Sequence, residues 1–464
     1  MELYGINIPP FRMPELDEGF LPILKFKRAY LSGANKPIAI ALERPHNQVA
    51  VHETRVYGTA IMRAADAFFM DRFVKTLLWM KGGFRVSIYG DKAVFETIKE
   101  AYSEFGTRAF DKNFMERVYE SPFEVLFGGN YENRPTPSEH SEHLGGHLDG
   151  CRIGFDAGGS DRKVSAVING ETVFSEEVVW HPKTQSDPTY HYDGIVSAFH
   201  TAARHMPRVD SIGVSSAGVY VDNRAMVASL FLKVPDELFD KFVKDIYIRA
   251  AKELGDVPLT VCNDGDVTAL AGSMGLQSNA VLGIAMGTSE AAGFIDEKGN
   301  VTGWLNELAF APVDMQQNAP EDEWSKDFGC GVKYFSQDAV NRLAPLAGIS
   351  LPVGLSPAEQ LNAVQTLMEA GDKRAIRVFR TIGTYLGHTL AHYYDLYGNA
   401  HTLLLGRVMS GKGGELILSE AQATLEEEYK EIAEKLQVSL PDENTRRVGQ
   451  SVAAASLPKI KDRF

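Results

Sequence analysis

Two short turns combine glycine with hydroxyl residues. Gly158, Gly159 and Ser160 lie in CRIGFDAGGSDRK, and Gly287, Thr288 and Ser289 lie in GIAMGTSEAAG. A phosphate group is held by backbone N–H groups that point inward with no Cβ in the way, and a glycine turn supplies both conditions. One such turn alone is commonly a plain hairpin turn; two, each on a hairpin and paired with acidic residues at strand ends, are a more specific sign of phosphate binding. Asp156, at the mouth of the first turn, is suited to hold a hydrated Mg²⁺ through water, and equally to cap its own hairpin. Asp264 follows the apolar strand LTV and precedes a helix. A carboxylate there can take the proton from a substrate hydroxyl, a role worth about 10²- to 10⁴-fold in rate, or it can cap the helix.

These residues need strands to present them. From Gly150 onward the chain reads as strand, turn, strand and long helix, twice over, with Gly, Ser, Thr or Asp just past the strand ends. Ligands bind at the carboxyl ends of strands in open α/β sheets. Upstream, IAIALERPHNQVAVHETRVYG alternates apolar residues around Pro-His-Asn, as a hairpin does. A helix from Ala64 to Met80, a strand FRVSIYG and a helix from Lys92 to Phe105 follow, which makes an α/β domain. From Asn130 to Gly150, Pro, Ser, His and Gly replace any apolar period, and this stretch reads as a linker. His140, His143 and His147 within it have no cysteine or acidic partner at a diagnostic spacing, so no metal is assigned there.

Taken together, the segments after Gly150 resemble the ROK family of sugar kinases and related proteins, within the actin, sugar kinase and Hsp70 superfamily. Asp156, Gly158, Gly159, Ser160 and Lys163 match its first phosphate motif, Asn263 and Asp264 its Asn-Asp pair, and Gly287 and Thr288, with Ser289 following, its second phosphate motif. Gly406 with Arg407, and the turn Gly411, Gly413, Gly414, resemble its adenosine motif, and SVAAASL its closing helix. The resemblance implies a two-lobed actin-like ATPase (ribonuclease H-like) α/β fold: 151–262 plus 449–464 form the first lobe and 263–448 the second. An extra N-terminal α/β domain (1–135) and a linker (136–150) precede them. It also implies ATP and Mg²⁺ as cofactors, Asp156 holding Mg²⁺ through water, Asp264 as general base, and Asn263, Glu307 and Ser229 as substrate-binding residues. A homodimer is implied as well.

Three departures stand out. NELAF keeps Glu307 but places Phe310 where the family has a sugar-binding imidazole. Cys330 alone remains of a zinc-binding cysteine cluster, and one thiolate does not make a tetrahedral site, so no structural zinc is expected. Glu290, directly after the second phosphate turn, would repel a γ-phosphate unless Lys163, Arg407 or Mg²⁺ offset it.

The composition fits these expectations. The 464 residues carry a net charge of −14, which works against nucleic-acid binding through phosphate neutralisation. Residues 1–150 are nearly balanced in charge, and an accessory domain that binds no DNA is expected. Three widely spaced cysteines fit a reducing cytoplasm, and no run of about 18 apolar residues spans a membrane. The expected function is ATP- and Mg²⁺-dependent phosphorylation of a hydroxyl of a sugar or sugar-like substrate. The alternative is a catalytically silent sugar- or nucleotide-binding regulator on the same fold.

Overall fold

The computed structural model describes residues 1–141, 144–441 and 449–460; His143 and the last four residues of the expected first lobe lie outside them. The chain forms two compact units. One comprises Met1–His140, Ile284–Ala292 and Trp304–Leu440, and the other Ser141–Gly283, Gly293–Gly303 and Pro441–Phe464.

The second unit is built on a five-stranded sheet in the order Leu259–Asn263, Ser211–Ser216, Cys151–Ala157, Asp161–Ile168, Glu171–Val179. The first three strands run parallel, and the last two close antiparallel hairpins. The strands alternate as half-covered strands must. Ile153 and Phe155 enter a core with Ile195, Phe199, Ile212, Val214 and Tyr247, while Arg152, Gly154 and Asp156 take the other face. Helix Gln450–Ala455 lies flat on that other face because two glycines let it. A Cβ at Gly154 or Gly213 would land on the carbonyl oxygen of Ser451 or Ala454. Ser451 meets Ser165 at 2.7 Å, and the buried Arg152 guanidinium donates to the Pro458 carbonyl at 2.7 Å.

Two further sheets are four-stranded. One is ordered Gln48–Val56, Lys36–Arg44, Arg85–Tyr89, Glu124–Gly129. Its first hairpin turns through His46 and Asn47, both at positive φ (61° and 58°), the backbone that matches the right-handed twist of paired strands. The expected helix over 64–80 spans Arg63–Lys81, and the strand FRVSIYG spans Arg85–Tyr89. The other sheet is ordered Glu290–Ile295, Val281–Met286, His401–Leu405, Gln437–Ser439, flanked by helices Lys373–Tyr397 and Gly411–Glu428.

The compact units cut the chain differently from the boundary read at residue 135. The reason is a buried ionic cluster. Arg72 and Lys75 reach Asp327 at 2.8 Å each, Arg108 reaches it at 2.8 Å, and Asp71 and Asp111 complete the set. Phe20 packs on Tyr334 and Tyr385, and the Asn306 and Glu307 amides donate to the carbonyls of Met80 and Trp79 at 2.9 Å. The linker is likewise held: Ser138 bridges to Val49 in the first unit, and His147 donates to Ser456 in the second.

Candidate active site

In the second unit the first glycine turn sits at the carboxyl end of strand Cys151–Ala157. Neither Gly158 nor Gly159 has positive φ; space is what demands glycine. A Cβ at Gly158 would come within 2.8 Å of the Asp161 carbonyl, and one at Gly159 within 2.9 Å of Lys183 Cε. The turn is tied down by Trp180, whose indole N–H donates to the Gly158 carbonyl at 2.8 Å and whose amide donates to that of Ser160 at 3.1 Å. Ser160 is exposed, and its hydroxyl donates to Asp161 at 3.1 Å.

Asp156 is buried, and Ser215 donates to its Oδ1 at 2.9 Å. Burial pushes its carboxyl up to about 6; the Ser215 bond opposes that push, the nearby charge of Asp264 adds to it, and Lys163 opposes it. Lys163 lies directly across the hairpin from Asp156 and pairs with Glu177 at 3.5 Å.

Strand Leu259–Asn263 aligns Cys262 with Ser215 and Asn263 with Ser216, which brings the Asn-Asp pair to the same sheet edge as Asp156. The cap of helix Asp264–Leu276 is Asn263: its Oδ1 accepts from the Gly265 amide at 2.7 Å, and its Nδ2 donates to the Gly218 carbonyl at 2.6 Å. Asp264 is the first helical residue, and the Gly265 amide also reaches its Oδ1, at 3.0 Å. The choice between capping and chemistry therefore divides between the two residues, leaving Asp264 Oδ2 without a capping role. Burial raises the Asp264 carboxyl, opposed by the Gly265 amide and by the positive charge of Lys183. Ser229 is exposed, in a 3-10 turn that packs against the turn carrying Lys183.

In the first unit, Gly287 closes a tight turn by donating to the Ser289 carbonyl at 3.0 Å, and Thr288 lies between them. Glu290 does not extend a charge from that turn. It is 3% exposed and tucked beside Gly331, where burial pushes its carboxyl up to about 8; Tyr393 donates to its Oε1 at 3.5 Å, and Glu307 adds to the upward push. The expected repulsion is thereby removed, because a carboxyl with that value is mostly neutral at pH 7. Glu307 sits at the start of the 3-10 turn Leu308–Phe310. Phe310 belongs to an aromatic cluster, 4.4 Å from Trp79 and 5.5 Å from Phe110 between ring centres.

Gly406, at φ 95°, lies against the Met286 backbone, where no Cβ would fit, and Arg407 beside it is exposed. Gly413 and Gly414 are buried, against the Phe379 ring and the Met409 carbonyl. Gly411 opens helix Gly411–Glu428, and the Lys412 amide of its first turn donates to Glu369 at 2.8 Å. This first-turn N–H thus already faces a carboxylate. Cys330 is buried, and among the described residues no group of three or more His, Cys, Asp or Glu could hold a metal ion. No described helix is long and apolar enough to cross a membrane.

Ser215, Trp180, His191 and Lys183 escaped sequence reading. A signal for Lys183 exists: strand Glu171–Val179 runs parallel to Cys151–Ala157, so Trp180-His181-Pro182-Lys183 emerges at the same carboxyl edge as the glycine turn.

No family model matches the chain, and no curated protein does. Solved structures do. A ROK hexokinase from Thermus thermophilus aligns with a TM-score of 0.51 and 19% identity over 66% of this chain and 97% of its own. A ROK family transcriptional regulator, a homologue of the E. coli MLC protein, aligns with a TM-score of 0.50 and 17% identity over 67% of this chain and 79% of its own. Over about two thirds of its length the chain thus shares the fold of these two ROK proteins.

Proposed function

We propose that the protein is an ATP- and Mg²⁺-dependent kinase that phosphorylates a hydroxyl of a sugar or sugar-like polyol. The observation that carries this reading is the division of labour at the Asn-Asp pair. Asn263 caps the helix, so the raised Asp264 carboxyl beside it is free to take a proton. A carboxylate moved toward neutrality is a better proton acceptor than one at its ordinary value. Asn263 keeps one N–H and one lone pair beyond its two bonds, enough to orient a neighbouring hydroxyl, with Glu307 and Ser229 as further substrate ligands.

The residues fit the cofactors. In the second unit Gly158, Gly159, Ser160 and Lys163 offer open amides, a hydroxyl and an ammonium to a phosphate chain; in the first unit this reading assigns Gly287, Thr288, Ser289, Gly406, Arg407 and the Gly411 turn to the nucleotide. Asp156, ionised above about pH 6, would hold Mg²⁺ through water. When bound, Mg²⁺ neutralises charge on the transferring phosphoryl group. Phe310 makes the sugar site more apolar than an imidazole would, which favours a substrate other than plain glucose. The resemblance adds a homodimer, and the composition adds a cytoplasmic setting with no nucleic-acid or membrane partner.

The silent-regulator reading has its own support. A regulator and a hexokinase share this fold to nearly the same degree, and Glu369 occupies the Lys412 amide. A thermal-shift screen of sugars with and without ATP and Mg²⁺ separates the two. A ligand that binds the native state at a hundred times its Kd stabilises it by about 2.7 kcal/mol. The kinase reading predicts a shift with ATP and Mg²⁺ and a further shift with one sugar class. A sugar shift with no ATP shift and no ADP release supports the regulator.

A further inference from the structure

We propose that Lys183 is the principal anion-binding side chain at the Gly158–Gly159–Ser160 turn, taking a phosphate oxygen of a nucleoside di- or triphosphate or of pyrophosphate. This rests on the reading of that turn as a phosphate site and adds a residue that no motif selects.

Three contacts hold the lysine's backbone in place. Trp180 bonds to both Gly158 and Ser160. His191, fully buried, bonds through Nε2 to the Pro182 carbonyl at 3.0 Å, and its ring packs on Phe231 at 4.8 Å. The 3-10 turn Pro182–Thr184 is therefore fixed at its first residue, one before Lys183. From there the side chain crosses Gly159 so closely that a Cβ on that glycine would meet Nζ at 3.1 Å.

The second argument concerns charge. Lys163, the lysine that the motif selects, already faces Glu177 at 3.5 Å. Lys183 is exposed, and its ammonium has neither a hydrogen bond nor an ion pair among the described residues. An exposed lysine is ordinarily a mobile solvated charge. This one is set against the backbone of a turn whose glycines carry no side chains, so an anion on that turn would meet the amides and the ammonium together. Ammonium-to-phosphate hydrogen bonds are among the stronger kind.

Calorimetric titration of the full-length protein with sodium pyrophosphate, at fixed low salt, tests this. Lys183→Ala is expected to weaken binding by about tenfold or more, Lys183→Arg to restore most of it, and Lys163→Ala to cost less than Lys183→Ala. All three should keep the wild-type far-UV spectrum and melting temperature, because neither lysine is buried. Wild-type affinity in Lys183→Ala, or no saturable binding by the wild type, would overturn the assignment. A wild type that binds pyrophosphate through Lys183 but releases no ADP with any sugar upholds the lysine and overturns the kinase reading.

Discussion

Asp156 is the residue whose folding cost and proposed role pull in opposite directions. Burial raises its carboxyl to about 6, above the value of about 3.9 in an unfolded chain. Between those values the native state holds the proton more often than the unfolded state. The contribution of Asp156 to wild-type stability should therefore be greatest below about pH 4 and be lost as pH rises through about 6. Asp156→Asn can still accept the Ser215 bond and does not ionise. It should abolish that decline and be more stable than wild type at pH 7 to 8, by up to about 3 kcal/mol, while losing Mg²⁺-dependent activity. Urea denaturation at a series of pH values measures it, and an Asp156→Asn protein less stable than wild type at pH 8 would contradict the burial cause. At this scale the sequence was partly legible. The glycines and acids of the motif could be read because their spacing is local. The partition of capping and free carboxylate between Asn263 and Asp264 could not, since both residue types cap helices. Nor could Lys183, one exposed lysine among many.

At the scale of elements, the phosphate hairpin depends on how closely a helix can approach the sheet behind it. Helix Gln450–Ala455 touches the strands through the bare backbone of Gly154 and Gly213. Gly213→Ala has no flexible side chain to push aside, only the Ala454 carbonyl, so the helix must lift. The expected loss is about 1–3 kcal/mol, the usual range for overpacking, and early proteolytic cleavage near 449–460 should accompany it. Denaturant midpoints and a timed digest check both, and a neutral Gly213→Ala would mean that the helix is not seated there. Elements of this kind were the most legible in the sequence. The 36–56 hairpin, the helix over 63–81 and the strand over 85–89 announce themselves through two- or 3.6-residue periods and a Pro-His-Asn turn. The seat of the closing helix is different, because a glycine within a strand signals close approach without saying what approaches.

For the whole molecule, the N-terminal third shares one compact unit with Trp304–Leu440. Asp327 receives Arg72, Lys75 and Arg108 in a buried cluster, and these three cations hold its carboxyl far below the usual range. Removing one partner of a buried pair strands the other charges, at a cost of about 3–5 kcal/mol. Asp327→Asn should lose stability on that scale, and residues 1–140 expressed alone should fail to give a cooperative unfolding transition. A cooperatively folding fragment would show instead that the N-terminal part carries its own sufficient core. Contacts joined across some 250 residues leave no period in the chain, which is why a boundary at residue 135 looked natural from sequence. Kinase activity turns on Asp264 in the proposed function, and steady-state ADP release with the sugar class that gives a thermal shift measures it most directly. Asp264→Asn should lower kcat by about 10²-fold or more with no loss of stability or ATP binding. Asn263→Ala, by contrast, should lose about 0.5–2 kcal/mol of stability as a helix cap. An Asp264→Asn protein that keeps most of the wild-type turnover would contradict the assignment of this carboxylate as the base.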